Sequence, residues 1–431
     1  MSDPSIEMVP LGEIKPYEAN PRSRPTGQRR ALMASIRKNG FNAPIVIDEH
    51  SVILNGHGRY EAALELELNA VPTVRVTHLT DAEKRAYRVA DNKIQEMSAW
   101  DMELLSGELR AVIEAGVKYE NLGFSAAEID LVLDRDAEAK GPDIAPEDEL
   151  PAPSARVHTR SGQTWTLGKH RISCGDARSM DDVARLMAGE SATAAFTDPP
   201  YNVKIEGFAG GSGAVKHKDF AMAVGEMSPP AYTDFLARSL TNTAQACTDG
   251  AIIFACIDWR HLPEMSAAGK EACLQLLNLI VWVKSNGGMG TFYRSRHELI
   301  FAFKRGDAPH INNFGLGEGG RYRTNVWEYR GANAFGPTRQ EDLAAHPTVK
   351  PARMVADALK DVSRRGDIVV DLFGGSGSTL IAAEMTGRRA RLLEIAPEYV
   401  DLTVRRWQKA TGQFATDSET GVRFDDVDVD P

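Results

Sequence analysis

Val369-Val-Asp-Leu-Phe-Gly-Gly-Ser-Gly-Ser-Thr379 is the stretch that decides the fold. A short apolar run ends at Asp371 and Leu372, breaks into Gly374, Gly375 and Gly377, and resumes as an apolar segment from Leu380. That pattern predicts a buried strand, a tight turn and a helix beginning near Leu380. Glycines in such a turn let backbone approach a ligand closely, and the helix start behind them favours polar or anionic groups. The next apolar run ends at Glu394, 23 residues after Asp371, a spacing at which an acid can hold the hydroxyls of a nucleoside ribose. No lysine of the GK[ST] type follows the glycines, which argues against a loop that grips the phosphates of ATP. A tight turn with a structural aspartate is the other reading of the same residues.

Outward from this turn, apolar runs alternate with helix-length segments. Ala194–Thr197, Ala251–Ile257, Leu279–Val283, Leu299–Phe303, Ile368–Leu372 and Ala390–Glu394 read as strands of an α/β sheet covered on both faces, over residues 156–415. In such sheets ligands bind beyond the carboxyl ends of strands. Phe196-Thr-Asp-Pro-Pro-Tyr-Asn202 sits at one such end. Asp198 offers a carboxylate acceptor there. The two prolines lack N–H groups and stiffen the turn, leaving the Pro199 carbonyl free to accept. Tyr201 offers a flat face for stacking. These parts suit a planar group bearing an exocyclic amine, although the same tetrapeptide can form a simple turn.

The rest of the chain divides by composition. Residues 1–97 read as a small α+β unit, with helices at Thr26–Lys38, Gly58–Leu68 and Asp81–Asn92. Its strands are expected at Pro44–Asp48, Val52–Leu54 and Thr73–Val76. Residues 98–136 read as a helical connector, helical throughout from Trp100 to Asp134. Residues 137–155 read as a flexible acidic, Pro-rich linker, and 416–431 as an acidic tail.

The net charge of −10 is carried by Asp134–Glu149 and Thr416–Pro431, so the remainder is neutral. Lys284–Arg353 holds eleven basic residues against six acidic ones, which leaves room for a basic face. Four dispersed cysteines read as reduced thiols, neither disulfides nor a zinc site. No apolar run reaches membrane-span length. The N-terminus lacks a signal-peptide pattern, so a cytoplasmic protein without membrane partners is expected.

With these motifs in view, residues 156–415 resemble the amino-methyltransferases that modify adenine N6 or cytosine N4 in DNA. The match is to the subgroup whose catalytic segment precedes its S-adenosylmethionine segment. Asp198-Pro-Pro-Tyr201 and the glycine turn carry the resemblance. His346-Pro-Thr-Val-Lys-Pro351, Val281-Trp-Val-Lys284 with Gly287–Gly290, Arg296-His-Glu298, and Leu167-Gly-Lys-His-Arg171 through Gly175-Asp176 extend it.

The resemblance implies a doubly wound, Rossmann-like methyltransferase sheet. The cofactor is S-adenosylmethionine, held by Asp371, Phe373, Gly375, Gly377, Thr379 and Glu394, with His346 and Lys350. Catalysis is assigned to Asp198, Pro199, Pro200 and Tyr201, acting on a base flipped out of double-stranded DNA. Lys284, Arg294, Arg296, Arg321 and Arg323 are expected at DNA phosphates, and residues 286–345 as the insertion that reads sequence. Asp in the first motif position resembles the N6-adenine enzymes. N4-cytosine methylation is the alternative. Restriction-modification and a homodimer are family associations, and no metal is implied.

Asn20-Pro-Arg22, Pro44–Asp48, Ile53-Leu-Asn-Gly-His-Gly-Arg-Tyr-Glu-Ala-Ala63 and Val71-Pro72 resemble the N-terminal domain of ParB-type partition proteins. Ala90-Asp-Asn-Lys93 with Trp100-Asp101 looks like the extension seen when that domain is fused to methyltransferases. The resemblance implies a nucleoside triphosphate site at Gly56 and Arg59. His57 and Gly58 stand where Glu and Arg are usual, which argues against hydrolysis. A nucleotide-gated DNA-binding regulator with an inactive methylase half is therefore the reading from another class. The same residues also suit a structural helix start.

Overall fold

The computed structural model describes residues 5–20, 26–96, 100–117, 122–138, 148, 150–151, 156–203, 225–285, 292–314, 323–329 and 349–427. The chain divides into two compact units, Met1–Lys140 and Gly141–Pro431.

In the first unit the strands β1 (Ile6–Pro10), β2 (Ile45–Asp48), β3 (Ile53–Asn55) and β4 (Ala70–Val76) form a sheet of order β1-β4-β2-β3. The helices are α1 (Thr26–Asn39), α2 (His57–Glu65) and α3 (Asp81–Glu96). Val9, Ile45, Ile47, Ile53, Ala63 and Val71 fill the core. Strand β1 has no strong sequence signal, because only Val9 of its five residues is buried. The connector is two helices, not the single helical run expected: α4 (Met102–Glu114) and α5 (Ala126–Glu138). Gly116 and Gly123, at φ of +74° and +84°, stand in the interruption. A left-handed backbone cannot continue an α-helix.

The second unit is built on a ten-stranded sheet. Its strands are β5 (Thr164–Leu167), β6 (His170–Cys174), β7 (Ala192–Thr197), β8 (Cys247–Ile257), β9 (Leu274–Val283), β10 (His297–Arg305), β11 (Val326–Glu328), β12 (Ile368–Asp371), β13 (Arg389–Glu394) and β14 (Thr416–Asp417). Their order is β11-β9-β10-β8-β7-β12-β13-β6-β5-β14. The central strands β8, β7, β12, β13 and β6 are parallel, and β10 runs antiparallel between β8 and β9.

Helices α6 (Met180–Met187), α7 (Pro229–Ala246) and α8 (Leu262–Glu271) cover one face through Leu186, Leu240 and Met265. Helices α9 (Ala352–Val362), α10 (Ser378–Met385) and α11 (Pro397–Thr411) cover the other through Leu359, Leu380 and Val404. The α/β sheet covered on both faces, expected from the apolar alternation, is what forms, doubly wound as the resemblance implies, with β10 and β5 running against the central strands.

Chain order reverses between β7 and β12. From β7 the chain winds out through β8 to β9 and β10, then returns to lay β12 against the other side of β7. The crevice beyond the carboxyl ends of these two strands is where sheets of this kind bind ligands.

Two expectations at the edges are corrected. Thr416–Asp417 is an edge strand on β5, and Phe424 is buried, so the tail is folded at least to Val427. Its Asp417 caps a turn by accepting from Glu419 N and Thr420 N. Most of the expected linker lies outside the described residues, but Asp148 is packed into the fold, accepting from Ala352 N at 2.8 Å.

Candidate active site

Two turns meet at the switch point. The first leaves β7 at Thr197 as Asp198-Pro-Pro-Tyr201. Tyr232, fully buried on α7, donates its hydroxyl to the Pro200 carbonyl at 2.8 Å and anchors this turn. Among the described residues nothing donates to the Pro199 carbonyl, which stays available as an acceptor. Asn202, at φ +52°, accepts from Gly225 N and Met227 N and donates to Met227 O. It thereby ties the turn to the start of the segment leading into α7.

Both oxygens of Asp198 are engaged. The Tyr201 hydroxyl lies 2.8 Å from Oδ1 and the Lys350 ammonium 2.6 Å from Oδ2. The same Tyr201 hydroxyl lies 2.9 Å from Glu298 Oε2, so one proton serves two acceptors. Lys350 Nζ is also 3.1 Å from Glu298 Oε2, and Lys284 Nζ bonds Glu298 Oε1. Burial raises the Asp198 carboxyl above its ordinary range, with Lys350 opposing the shift. Burial also opposes ionisation of Glu298, but Lys350 and Lys284 outweigh it and hold that carboxyl at about 2. Burial likewise disfavours the Lys350 ammonium, yet Asp198 and Glu298 keep it charged, above its ordinary value.

The second turn leaves β12 at Asp371. Its Oδ1 accepts from Phe373 N at 3.0 Å and its Oδ2 from the Thr379 hydroxyl at 2.6 Å. Gly375 and Gly377 have φ of +49° and +85°, conformations that favour glycine. Glu394, ending the adjacent β13, accepts from Gly375 N at 2.8 Å and from Ala396 N at 2.9 Å. Its carboxylate therefore shapes the glycine turn as well as lining it. Phe373 is half-buried, 5.8 Å from the Phe235 ring centroid.

Burial pushes Asp371 up to about 8 and raises Glu394. Among the described residues neither carboxylate forms an ion pair. A ligand that brings positive charge and hydroxyl groups would supply what these two acids lack.

Several expected site residues fall elsewhere in the network. Lys350, expected at the cofactor, instead sits on Asp198. Thr379, also expected there, is buried beneath Asp371. Lys284, expected at DNA phosphates, is paired with Glu298. Arg323, expected there too, is held inside by Asp361 at 3.0 Å and the Tyr329 hydroxyl at 3.0 Å. Paired, partly buried cations satisfy carboxylates on their own chain and are not free for phosphate. Arg294 and Arg296 are exposed. His346 and Arg321 lie outside the described residues. Glu298 and Asn202 lie in stretches the sequence singles out and Tyr232 does not, but no local signal marks the role of any of the three, since each works through a partner elsewhere in the chain: Lys350 and Lys284, Gly225 and Met227, and Pro200.

In the first unit, Gly56 has φ +99° at the start of α2. Arg59 reaches back over it to the Pro44 carbonyl at 3.3 Å, and its Nε is buried without a partner among the described residues. His57 Nε2 accepts from Tyr17 N at 3.2 Å.

Residues 192–405 match the DNA methylase family model, and residues 1–93 match the ParB N-terminal domain model. The chain carries a ParB N-terminal domain ahead of a DNA methylase domain. One relative is the type II methyltransferase M2.MboI of Moraxella bovis. It is 22% identical over 235 residues, which is 53% of this chain and 85% of the relative. Another is the ParB-like nuclease domain-containing protein YnaK of Escherichia coli K12, 41% identical over 76 residues, 18% of this chain and 87% of the relative. Among solved structures, M1.HpyAVI in complex with S-adenosylmethionine is 18% identical and covers 55% of this chain and 98% of its own, with a TM-score of 0.38. Among the described residues, no helix is long and apolar enough to cross a membrane.

Proposed function

We propose that this DNA methylase transfers a methyl group from S-adenosylmethionine to the exocyclic N6 amine of an adenine flipped out of double-stranded DNA. The observation that carries the reading is the pairing of turns at the switch point. Asp198 and the free Pro199 carbonyl stand at the end of β7, and the Asp371 glycine turn stands at the end of the neighbouring β12.

Asp371, Glu394, Phe373 and the glycine backbone would hold the cofactor, whose ammonium, sulfonium and ribose hydroxyls meet the needs of two buried carboxylates without counter-charge. When bound it supplies an electrophilic methyl group. The chain's own part is positioning and electrostatics. The lone pair of an exocyclic amine is delocalised into its ring. Acceptance of its two N–H groups by Asp198 and the Pro199 carbonyl favours a pyramidal nitrogen with that lone pair free to attack. The adenine assignment rests on aspartate in the first position of the turn.

The test incubates the full chain with unmodified duplex DNA and methyl-labelled S-adenosylmethionine, then digests the DNA to nucleosides. Label in N6-methyladenine that disappears with Asp198→Ala is the expected result. Label in N4-methylcytosine would overturn the base assignment. No label in any base, with cofactor bound, would overturn the transfer. In the ParB-type domain we further propose a nucleoside triphosphate site at Gly56 and Arg59, supported by the unpaired Arg59 Nε. Labelled triphosphate should bind the wild type and not Arg59→Ala.

A further inference from the structure

We propose that Lys350 and Glu298 are positioning residues for methyl transfer: Lys350 fixes the orientation of Asp198 and keeps it ionised, and Glu298 holds Lys350 in place. The inference rests on the reading of Asp198 as the acceptor of the target amine.

Topology explains how the three groups meet. Asp198 leaves the carboxyl end of β7. Because β10 is antiparallel to its neighbours, its first residues, including Glu298, lie at that same edge. Lys350 precedes Pro351, the residue that caps α9, and is only 5% exposed, so its ammonium must be paired to be tolerated. Its two partners are Asp198 Oδ2 at 2.6 Å and Glu298 Oε2 at 3.1 Å. The Trp282 ring closes over it, with the centroid 5.8 Å from Nζ. The Ser378 hydroxyl at the start of α10 donates to the Lys350 carbonyl at 2.8 Å, tying this lysine to the glycine turn as well.

Asp198 is thus gripped at both oxygens, by Tyr201 and by Lys350, and each oxygen keeps a second acceptor site for an incoming amine. Glu298 is gripped in turn by Lys284. Lys350 touches no group of the amine or methyl donor in this scheme and acts through Asp198.

The groups facing Asp198 from the packed elements set its titration. They are Lys350, Glu298, Tyr201 of its own turn, Cys256 of β8, Asp371 of β12 and Tyr232 of α7, with Lys284 acting through Glu298. Lys350 is the one cation in direct contact among the described residues. Removing it disfavours the Asp198 carboxylate, whereas neutralising Glu298 favours it.

The test uses the full chain and its Lys350→Met, Lys350→Arg and Glu298→Gln variants. The rate of methyl transfer to duplex DNA is followed against pH, and binding of S-adenosylmethionine is measured alongside. In Lys350→Met the acid limb should move up by about 1–3 pH units, each unit costing about tenfold in rate on the acid side. Activity should recover at high pH, with cofactor affinity unchanged. Lys350→Arg should restore most of the limb, and Glu298→Gln should move it down.

A second readout needs no turnover. The carboxyl carbon of Asp198, labelled with ¹³C and assigned by its loss in Asp198→Asn, should titrate higher in Lys350→Met and lower in Glu298→Gln. A uniform loss of rate at every pH, or an Asp198 titration indifferent to both substitutions, would overturn the proposal. Should Lys350→Met not fold, the downward displacement in Glu298→Gln, against a limb that Lys350→Arg leaves near the wild-type position, carries the same decision. A wild type that methylates no DNA would sink the proposed reaction, while the carboxyl titration still decides this role.

Discussion

Gly377→Ala isolates what the glycine turn contributes. Gly377 caps α10 at φ +85°, a conformation costing an L-residue roughly 1–2 kcal/mol. A Cβ there would stand 2.7 Å from Thr403 Cγ2 and 2.9 Å from its Oγ1. Thr403 is buried on α11, and its hydroxyl donates to the Gly375 carbonyl at 2.9 Å. Moving Thr403 aside therefore loosens the neighbouring glycine, and such overpacking costs roughly 1–3 kcal/mol. The sum is about 2–5 kcal/mol. Gly366→Ala is the control. It has φ +84° with nothing within 4 Å of the added Cβ, so it should cost only the backbone part.

The assay is urea unfolding followed by tryptophan fluorescence. Of the six tryptophans only Trp100 lies in the first unit, so the signal reports the methylase unit. The midpoint should fall further for Gly377→Ala than for Gly366→Ala, and S-adenosylmethionine should bind more weakly to the former alone. Equal midpoints for the two variants would refute the claim that Thr403 closes the turn sterically.

Asp371→Asn should stabilise the cofactor-free protein increasingly from about pH 4 to pH 8. A carboxyl raised to about 8 by burial favours folding in its protonated form, and that stability is lost as pH rises through the folded value. Thermal unfolding across that range checks it, and a pH-independent difference would count against it. Glu384→Ala should cost about 1–3 kcal/mol at neutral pH, by leaving the Trp407 indole N–H and His170 Nε2 unpaired. The His170 hydrogen bond first, then that of Trp407, hold Glu384 down at about 2, so its contribution should persist above pH 4.5 and fade as pH drops toward 2. Urea titrations at pH 7 and pH 3 give the comparison. Tyr232→Phe removes the one bond holding the Pro200 carbonyl, and should lower kcat with cofactor affinity intact, by an amount equivalent to about 0.5–1.5 kcal/mol. An unchanged kcat would show that the turn keeps its shape without the Tyr232 bond.

Much of this architecture is legible residue by residue. The strand ending at Asp371, its glycines and the helix behind them follow from local rules: apolar period, positive φ at glycine and helix-start chemistry. The prolines after Asp198 mark a stiff turn for equally local reasons. What fails to show is whatever depends on a partner far along the chain. Strand β1 is nearly all exposed and finds its place only by pairing with β4. The acidic composition after Ala415 suggested a solvated tail, but the backbone of Thr416–Asp417 completes the sheet edge, a role that composition does not record.

The charged residues make the same point more sharply. By sequence, Lys284 and Arg323 are expected at DNA phosphates and Lys350 at the cofactor. Only the sheet order, with β12 returning to lie beside β7 and β10 running backwards, decides that Lys350 meets Asp198 and Glu298. The same folding turns Lys284 and Arg323 toward carboxylates of their own chain. The two turns and the alternation of strands with helices are written locally, because strand and turn formation obey short-range periodicity and backbone sterics. The tertiary structure alone decided which turns face each other and which charges pair. Strand adjacency and the burial of ionic groups depend on contacts between segments far apart in the chain, 152 residues in the case of Asp198 and Lys350.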